Sequence, residues 1–110
     1  MMYNLESIAQ FRRQLKRLLK KYPSLRREID ELADSLEDNP TQGASLKHNC
    51  YKIRLGIASK GQGKRGGARV ITCVIAVTTE VYLLAIYDKA EQESVTDNEL
   101  QALIDEIPTR

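Results

Sequence analysis

From Ile8 onward, apolar residues return every three or four positions: Ile8, Phe11, Leu15, Leu18, Leu19 and Tyr22. That spacing gathers them on one stripe of an amphipathic helix. Ser7 with Gln10 supplies the S-x-x-Q signature of a capping box at its start. Pro23, in "YPS", ends it because proline cannot continue a helical ladder. Leu25, Ile29, Leu32, Ala33 and Leu36 mark a second helix, closed by "NPTQG". The short link between the two predicts an antiparallel helical hairpin over about residues 7–38. The residues ahead of Ser7 are read as a short strand.

After residue 40 the apolar period shortens to two. In "CYKIRLGI", Tyr51, Ile53, Leu55 and Ile57 alternate with Lys52, Arg54 and Gly56, so the two cations share one face of a strand. "ARVITCVIAV" and "VYLLAIY" are nearly continuous runs rich in β-branched residues, as interior strands are. "TTE" between them is short enough for a hairpin. Thr96 with Glu99 forms another capping box, followed by Leu100, Leu103, Ile104 and Ile107 on one stripe, until Pro108 ends the helix. The element order is (β)ααβββα: an α+β domain with a small antiparallel sheet, three of its strands within about residues 50–88, helices against one face, and a last helix over about 97–107. At 110 residues the chain is expected to be a single domain, residues 1–110.

Charge changes this picture more than composition does. The net charge is only +2, from 17 basic and 15 acidic residues, but the signs are segregated. No acid lies between Asp38 and Glu80, where Lys47, Lys52, Arg54, Lys60, Lys64, Arg65 and Arg69 all fall. Such a stretch points to a phosphate-rich partner. A second basic block, "RRQLKRLLKK", is read as the solvated face of the first helix. "MMYNLES" has no signal-peptide pattern, and "VITCVIAV" is too short to cross a bilayer, so a cytoplasmic protein with no membrane partner is expected. Cys50 and Cys73 have neither metal-site spacing nor a disulfide framework and are read as core thiols of a reducing compartment. No metal and no small-molecule cofactor is expected.

"ASKGQGKRGGARV" contains a formal G-x-G-x-x-G at Gly61, Gly63 and Gly66. A dinucleotide site requires a helix after those glycines, whose N-terminus meets the pyrophosphate. Here a strand follows. Lys64 precedes Arg65 rather than Ser or Thr, so the Walker pattern is absent as well. What remains is a long glycine-rich loop between strands. It carries Lys60, Lys64 and Arg65, which with Lys47 form a candidate phosphate-binding set, and it delivers Arg69 onto the next strand.

Taken together, "NCYKIRL", "GGARVI" and "VYLLAIYDK" resemble three consecutive strands of the RelE/ParE superfamily of toxins from bacterial toxin–antitoxin modules. The likeness is narrowest to RelE-like and HigB-like ribosome-dependent mRNA interferases, and the two preceding helices fit it. The resemblance implies a metal-independent endoribonuclease acting on mRNA in the ribosomal A site. The RNA 2′-hydroxyl attacks the neighbouring phosphate, which leaves a cyclic phosphate and a free 5′-hydroxyl. A cognate antitoxin protein is the implied partner, besides mRNA and the ribosome.

By the same resemblance Lys52 and Arg54 match the two cations of the first strand. Arg69 matches the arginine that contacts the phosphate, and Lys89 a cation acting on the leaving group. Tyr87, two residues before Lys89, completes the candidate catalytic set. The family's downstream tyrosine falls near Val95 and is not matched. At the second cation RelE has a lysine read as general base, whereas this chain has Arg54, which does not give up its proton. The base is then Lys52, its proton loosened by neighbouring cations, Tyr87, or the sole histidine, His48. Catalysis by positioning and charge stabilisation alone needs none of them. Two other readings keep the fold: a ParE-like inhibitor of DNA gyrase and a non-catalytic RNA-binding module.

Overall fold

The computed structural model of the protein describes residues 2–61 and 66–108. Five strands form one sheet: β1 (Asn4–Ser7), β2 (Ala44–Ser45), β3 (Cys50–Leu55), β4 (Ala68–Ile75) and β5 (Glu80–Asp88). Their spatial order is β1-β5-β4-β3-β2. Among the described residues the α-helices are α1 (Ala9–Lys21), α2 (Leu25–Asp38) and α3 (Asp97–Asp105). The apolar runs read as interior strands are β4 and β5, and they sit in the middle of the sheet. Burial on both faces is what makes such a strand apolar throughout.

The sheet is mixed rather than purely antiparallel. β1 runs parallel to β5, from Asn4 opposite Glu80 to Ser7 opposite Leu83. A parallel partner needs a long crossover, and here the chain between the two strands includes both α1 and α2. β1 stops at Ser7, which leaves the edge of β5 open beyond Leu83. Gln14 of α1 closes it by accepting the Ile86 N–H at 3.0 Å on its Oε1.

The predicted capping box at Ser7 does not form. Ser7 is the last residue of β1, Ile8 is the N-cap, and no side chain caps α1. Pairing with β5 fixes the Ser7 backbone, and its Oγ instead accepts from Arg12 Nη1 at 3.0 Å. At α3 both halves of the box are present: Glu99 N–H donates to Thr96 Oγ1 at 3.1 Å, and Thr96 N–H to Glu99 Oε1 at 2.8 Å. The β4–β5 turn falls slightly earlier than "TTE", as a 3-10 turn over Ala76–Thr78 with Thr79 left-handed.

The helices occupy both faces. Asp88 and Tyr87, consecutive on β5, point to opposite sides. Asp88 meets Tyr22, at the end of α1, whereas Tyr87 and Ala85 share a cavity wall with Val95 and with Leu103 of α3. α3 therefore lies over the face that carries Tyr87, and the helices are not confined to one side as expected. Phe11 and Leu18 of α1 and Leu25, Leu32 and Leu36 of α2 build the core with β3, β4 and β5.

Candidate functional site

The site begins with the register of β3 on β4. Cys50 spends both its backbone groups on the β2 side, donating to Lys47 O at 3.2 Å and accepting from Leu46 N at 2.7 Å. By the two-residue period, Lys52 and Arg54 also turn their backbone groups away from β4. Cys50/Cys73, Lys52/Ile71 and Arg54/Arg69 are therefore the non-hydrogen-bonded pairs, the kind whose Cα atoms approach to about 4.5 Å. Arg69 is in turn opposite Tyr87 on β5. One row across three strands thus reads Arg54–Arg69–Tyr87, with Lys52, Ile71 and Ala85 in the next row on the same face. A β-bulge between Ile71 and Thr72 lies just beyond that second row.

Two arginines directly opposite one another repel, which destabilises the bare sheet. Arg54 is exposed and, among the described residues, makes no hydrogen bond or ion pair. Arg69 is only 4% exposed, and its Nη1 donates to Ala68 O at 3.1 Å. Lys52 is half-buried and donates to Ser94 Oγ at 3.3 Å. Tyr87 is 3% exposed, and its hydroxyl has no hydrogen-bond partner among the described residues. Burial pushes the Tyr87 phenol above its ordinary pKa, opposed by the Ser94 hydroxyl and the Arg69 charge and reinforced by the Glu99 charge. A phenol held protonated in this way is a proton donor rather than a base at neutral pH.

The other candidates go elsewhere. His48 and Asn49, with φ of 62° and 61°, are the central residues of the tight turn that joins β2 to β3. Positive φ at both central positions is what a type I′ hairpin turn demands. His48 thus lies beyond Cys50, itself four residues or roughly 13 Å of strand from Arg54. Its imidazole is not part of the arginine row. Its carbonyl accepts from the thiols of Cys50 and Cys73, at 3.6 and 3.7 Å, and both are free and buried as the sequence suggested.

Lys60 differs most from its expected role. Its ammonium turns inward to an ion pair with Asp88 Oδ1, where the two side chains are 10% and 1% exposed, and it also donates to Gly66 O at 2.5 Å. Asp88 further accepts from Tyr22 OH at 2.7 Å and from Ala90 N–H at 2.9 Å. Burial alone would raise the Asp88 carboxyl, but hydrogen bonds from Lys60, Ala90 and Tyr22, with the Lys60 charge, hold it below its ordinary value. By bonding Gly66 O, Lys60 ties one end of the glycine-rich loop to the other. Glu28 holds the near end, accepting from Ala58 N–H at 2.6 Å. Lys64 and Arg65 lie outside the described residues.

Counter-charges, absent from the basic stretch in sequence, are supplied by the end of β5 and the segment after it. Asp88 pairs with Lys60, Glu91 with Arg17 at 3.1 Å, Glu93 with Lys89 at 3.2 Å, and Asp97 with Lys47 at 2.9 Å. Lys89 also donates its backbone N–H to Gly67 O at 3.0 Å, next to the strand that carries Arg69. Sequence reasoning missed the role of Asp88. Its signal was an acid ending the apolar run "VYLLAIY", since a charge at a buried strand position must be paired.

No family model matches the sequence. The fold nevertheless has clear counterparts among solved structures. The free E. coli toxin RelE, in a form with two arginine-to-alanine substitutions, is 18% identical, with a TM-score of 0.62 over 98% of this chain and 100% of that one. The toxin–antitoxin complex RelBE2 of Mycobacterium tuberculosis is 17% identical, with a TM-score of 0.57 over 80% of this chain and 99% of that one. The isolated E. coli RelE toxin gives 18% identity and a TM-score of 0.56 over 94% and 97%. The fold is RelE-like.

Proposed function

We propose that the chain is the toxin of a toxin–antitoxin pair, an endoribonuclease that cuts mRNA on the ribosome. The observation that carries this reading is the Arg54/Arg69 pair, two like charges held opposite one another on a sheet face. A gyrase inhibitor acting through protein contacts has no need of such a row, whereas a phosphate gripped by two arginine forks does.

The chemistry we propose is a transesterification within the RNA. The 2′-oxygen attacks the adjacent phosphorus, the bond to the 5′-oxygen breaks, and a cyclic phosphate and a 5′-hydroxyl result. Arg54 and Arg69 neutralise the charge that grows on the phosphorane oxygens. Lys52, one row away on the same face, takes the 2′-hydroxyl proton. Lys89 gives the leaving 5′-oxygen its proton as the bond to phosphorus breaks. The cognate antitoxin covers the arginine row and silences it.

The test is purified chain added to ribosomes programmed with a short mRNA, with breaks mapped by primer extension and the same RNA without ribosomes as control. Breaks confined to the A-site codon and dependent on ribosomes are expected. Intact mRNA in the presence of folded protein contradicts the reading and favours a gyrase inhibitor. Salt-dependent RNA binding without product favours a plain binding module.

A further inference from the structure

Between α1, β5 and α3 lies a cavity of about 400 Å³, within the size range of small-ligand sites. Its polar groups are only partly used within the protein. Gln14 spends its Oε1 on Ile86 N–H, which leaves its NH2 free as a donor. Gln92 spends its Nε2 on Ser94 O at 2.9 Å, which leaves its oxygen as an acceptor. Glu99 gives one carboxylate oxygen to the α3 cap and keeps the other. Gln10 makes no side-chain hydrogen bond among the described residues. The Tyr87 hydroxyl is buried there, with only the Ser94 hydroxyl, itself engaged by Lys52, near enough to act on it. Val95 and Leu103 add apolar wall.

This set has a definite chemical preference. Among the described residues no lysine or arginine lines the cavity, while two glutamates do, so anions are disfavoured. Apolar walls with mixed donors and acceptors suit a flat, neutral heterocycle with both kinds of group along its edge. The cavity shares Tyr87 with the arginine row, and Tyr87 is directly opposite Arg69. We propose that this cavity receives a nucleobase flanking the cleaved phosphate, one with an exocyclic amine donating to Glu99 and Gln92 while its ring acceptors meet Gln10 and Gln14. The inference rests on the reading of the chain as an RNA-cleaving toxin and names its specificity pocket.

The experiment is an NMR titration of the isotope-labelled chain with AMP, GMP, CMP and UMP separately, with inorganic phosphate as control. The side-chain NH2 signals of Gln10 and Gln14 are expected to shift with amine-bearing nucleotides. UMP should bind about tenfold more weakly, the size of one lost base-edge contact, and phosphate should leave those signals in place. Gln92→Leu, checked for folding by the same spectra, should erase the preference over UMP and broaden the spread of codons cut on the ribosome, whereas Gln10→Leu should weaken binding of all four nucleotides alike. Glutamine signals that ignore all four nucleotides, or equal binding of UMP, overturn the proposal. So does a response to N-acetyl-arginine amide alone, which would assign the cavity to a cationic side chain of a protein partner. Failure of the parent chain to cut mRNA would count against the activity itself. Cutting by the parent with an unchanged codon pattern in Gln92→Leu would count against the pocket alone.

Discussion

Arg54 and Lys60 are six residues apart in one acid-free stretch, yet they end in opposite environments. Lys60 is buried against Asp88, with Tyr22 and Gly66 completing the cluster. Arg54 is itself exposed, opposite a buried arginine, with no ion pair among the described residues. The difference comes from the last residue of β5 and the segment after it, whose four acids take up Lys60, Arg17, Lys89 and Lys47. Those acids do not pair with Lys52 or Arg54, and these two share the face with Arg69. A cation's place in a basic run therefore says little about its availability to a ligand. What decides it is whether an acid distant in sequence is brought beside it.

Breaking the buried half should have the largest effect on stability. Asp88→Ala leaves the Lys60 ammonium buried without its partner, which costs about 3–5 kcal/mol and should be read as a lowered urea midpoint. Lys60→Met together with Asp88→Leu removes both charges and should recover most of that loss, because a packed apolar pair replaces a buried ionic one at little cost. Breaking the exposed half should do the reverse. Arg54→Ala should stay within about 0.5 kcal/mol in stability, yet lose on the order of 100-fold in cleavage rate, as when a single transition-state donor is removed.

Acid sharpens the same contrast. The folded Asp88 carboxyl lies below its ordinary value of about 3.9, so the folded state binds a proton there less readily than the unfolded chain. Its contribution is fully present above that unfolded value and is lost as pH falls through the lower folded one. Asp88→Asn should flatten this acid limb in a pH series of denaturation curves, whereas Arg54→Ala should leave it unchanged. The smallest effect is expected at Lys47, whose pair with Asp97 is mostly exposed on both sides. Lys47→Ala should cost no more than about 1 kcal/mol, and less in high salt.

The sequence made the sheet and helices legible because each period has one physical reading. Alternation in "CYKIRL" placed Lys52 and Arg54 on one face, and the apolar runs "ARVITCVIAV" and "VYLLAIY" identified the central strands. The parallel pairing of β1 could not be read, since four residues at a sheet edge carry no sign of their direction. Nor could the false cap at Ser7, where pairing with β5 overrode a local signature. The arginine row was half visible: the residues were named, but their direct opposition depends on register. His48 was named for its chemistry alone, and the turn geometry that holds it away from the row follows from the β2–β3 pairing rather than from its neighbours in sequence. Asp88 needed knowledge of what lies against it.

The most direct test of the account is the rate of ribosome-bound mRNA cleavage by Arg54→Ala beside the parent chain, at equal folded fraction by circular dichroism. The account predicts A-site breaks by the parent and a loss on the order of 100-fold in the variant with its melting curve unmoved. Equal cleavage by both chains would contradict it, because the exposed arginine would then have no part in gripping the phosphate.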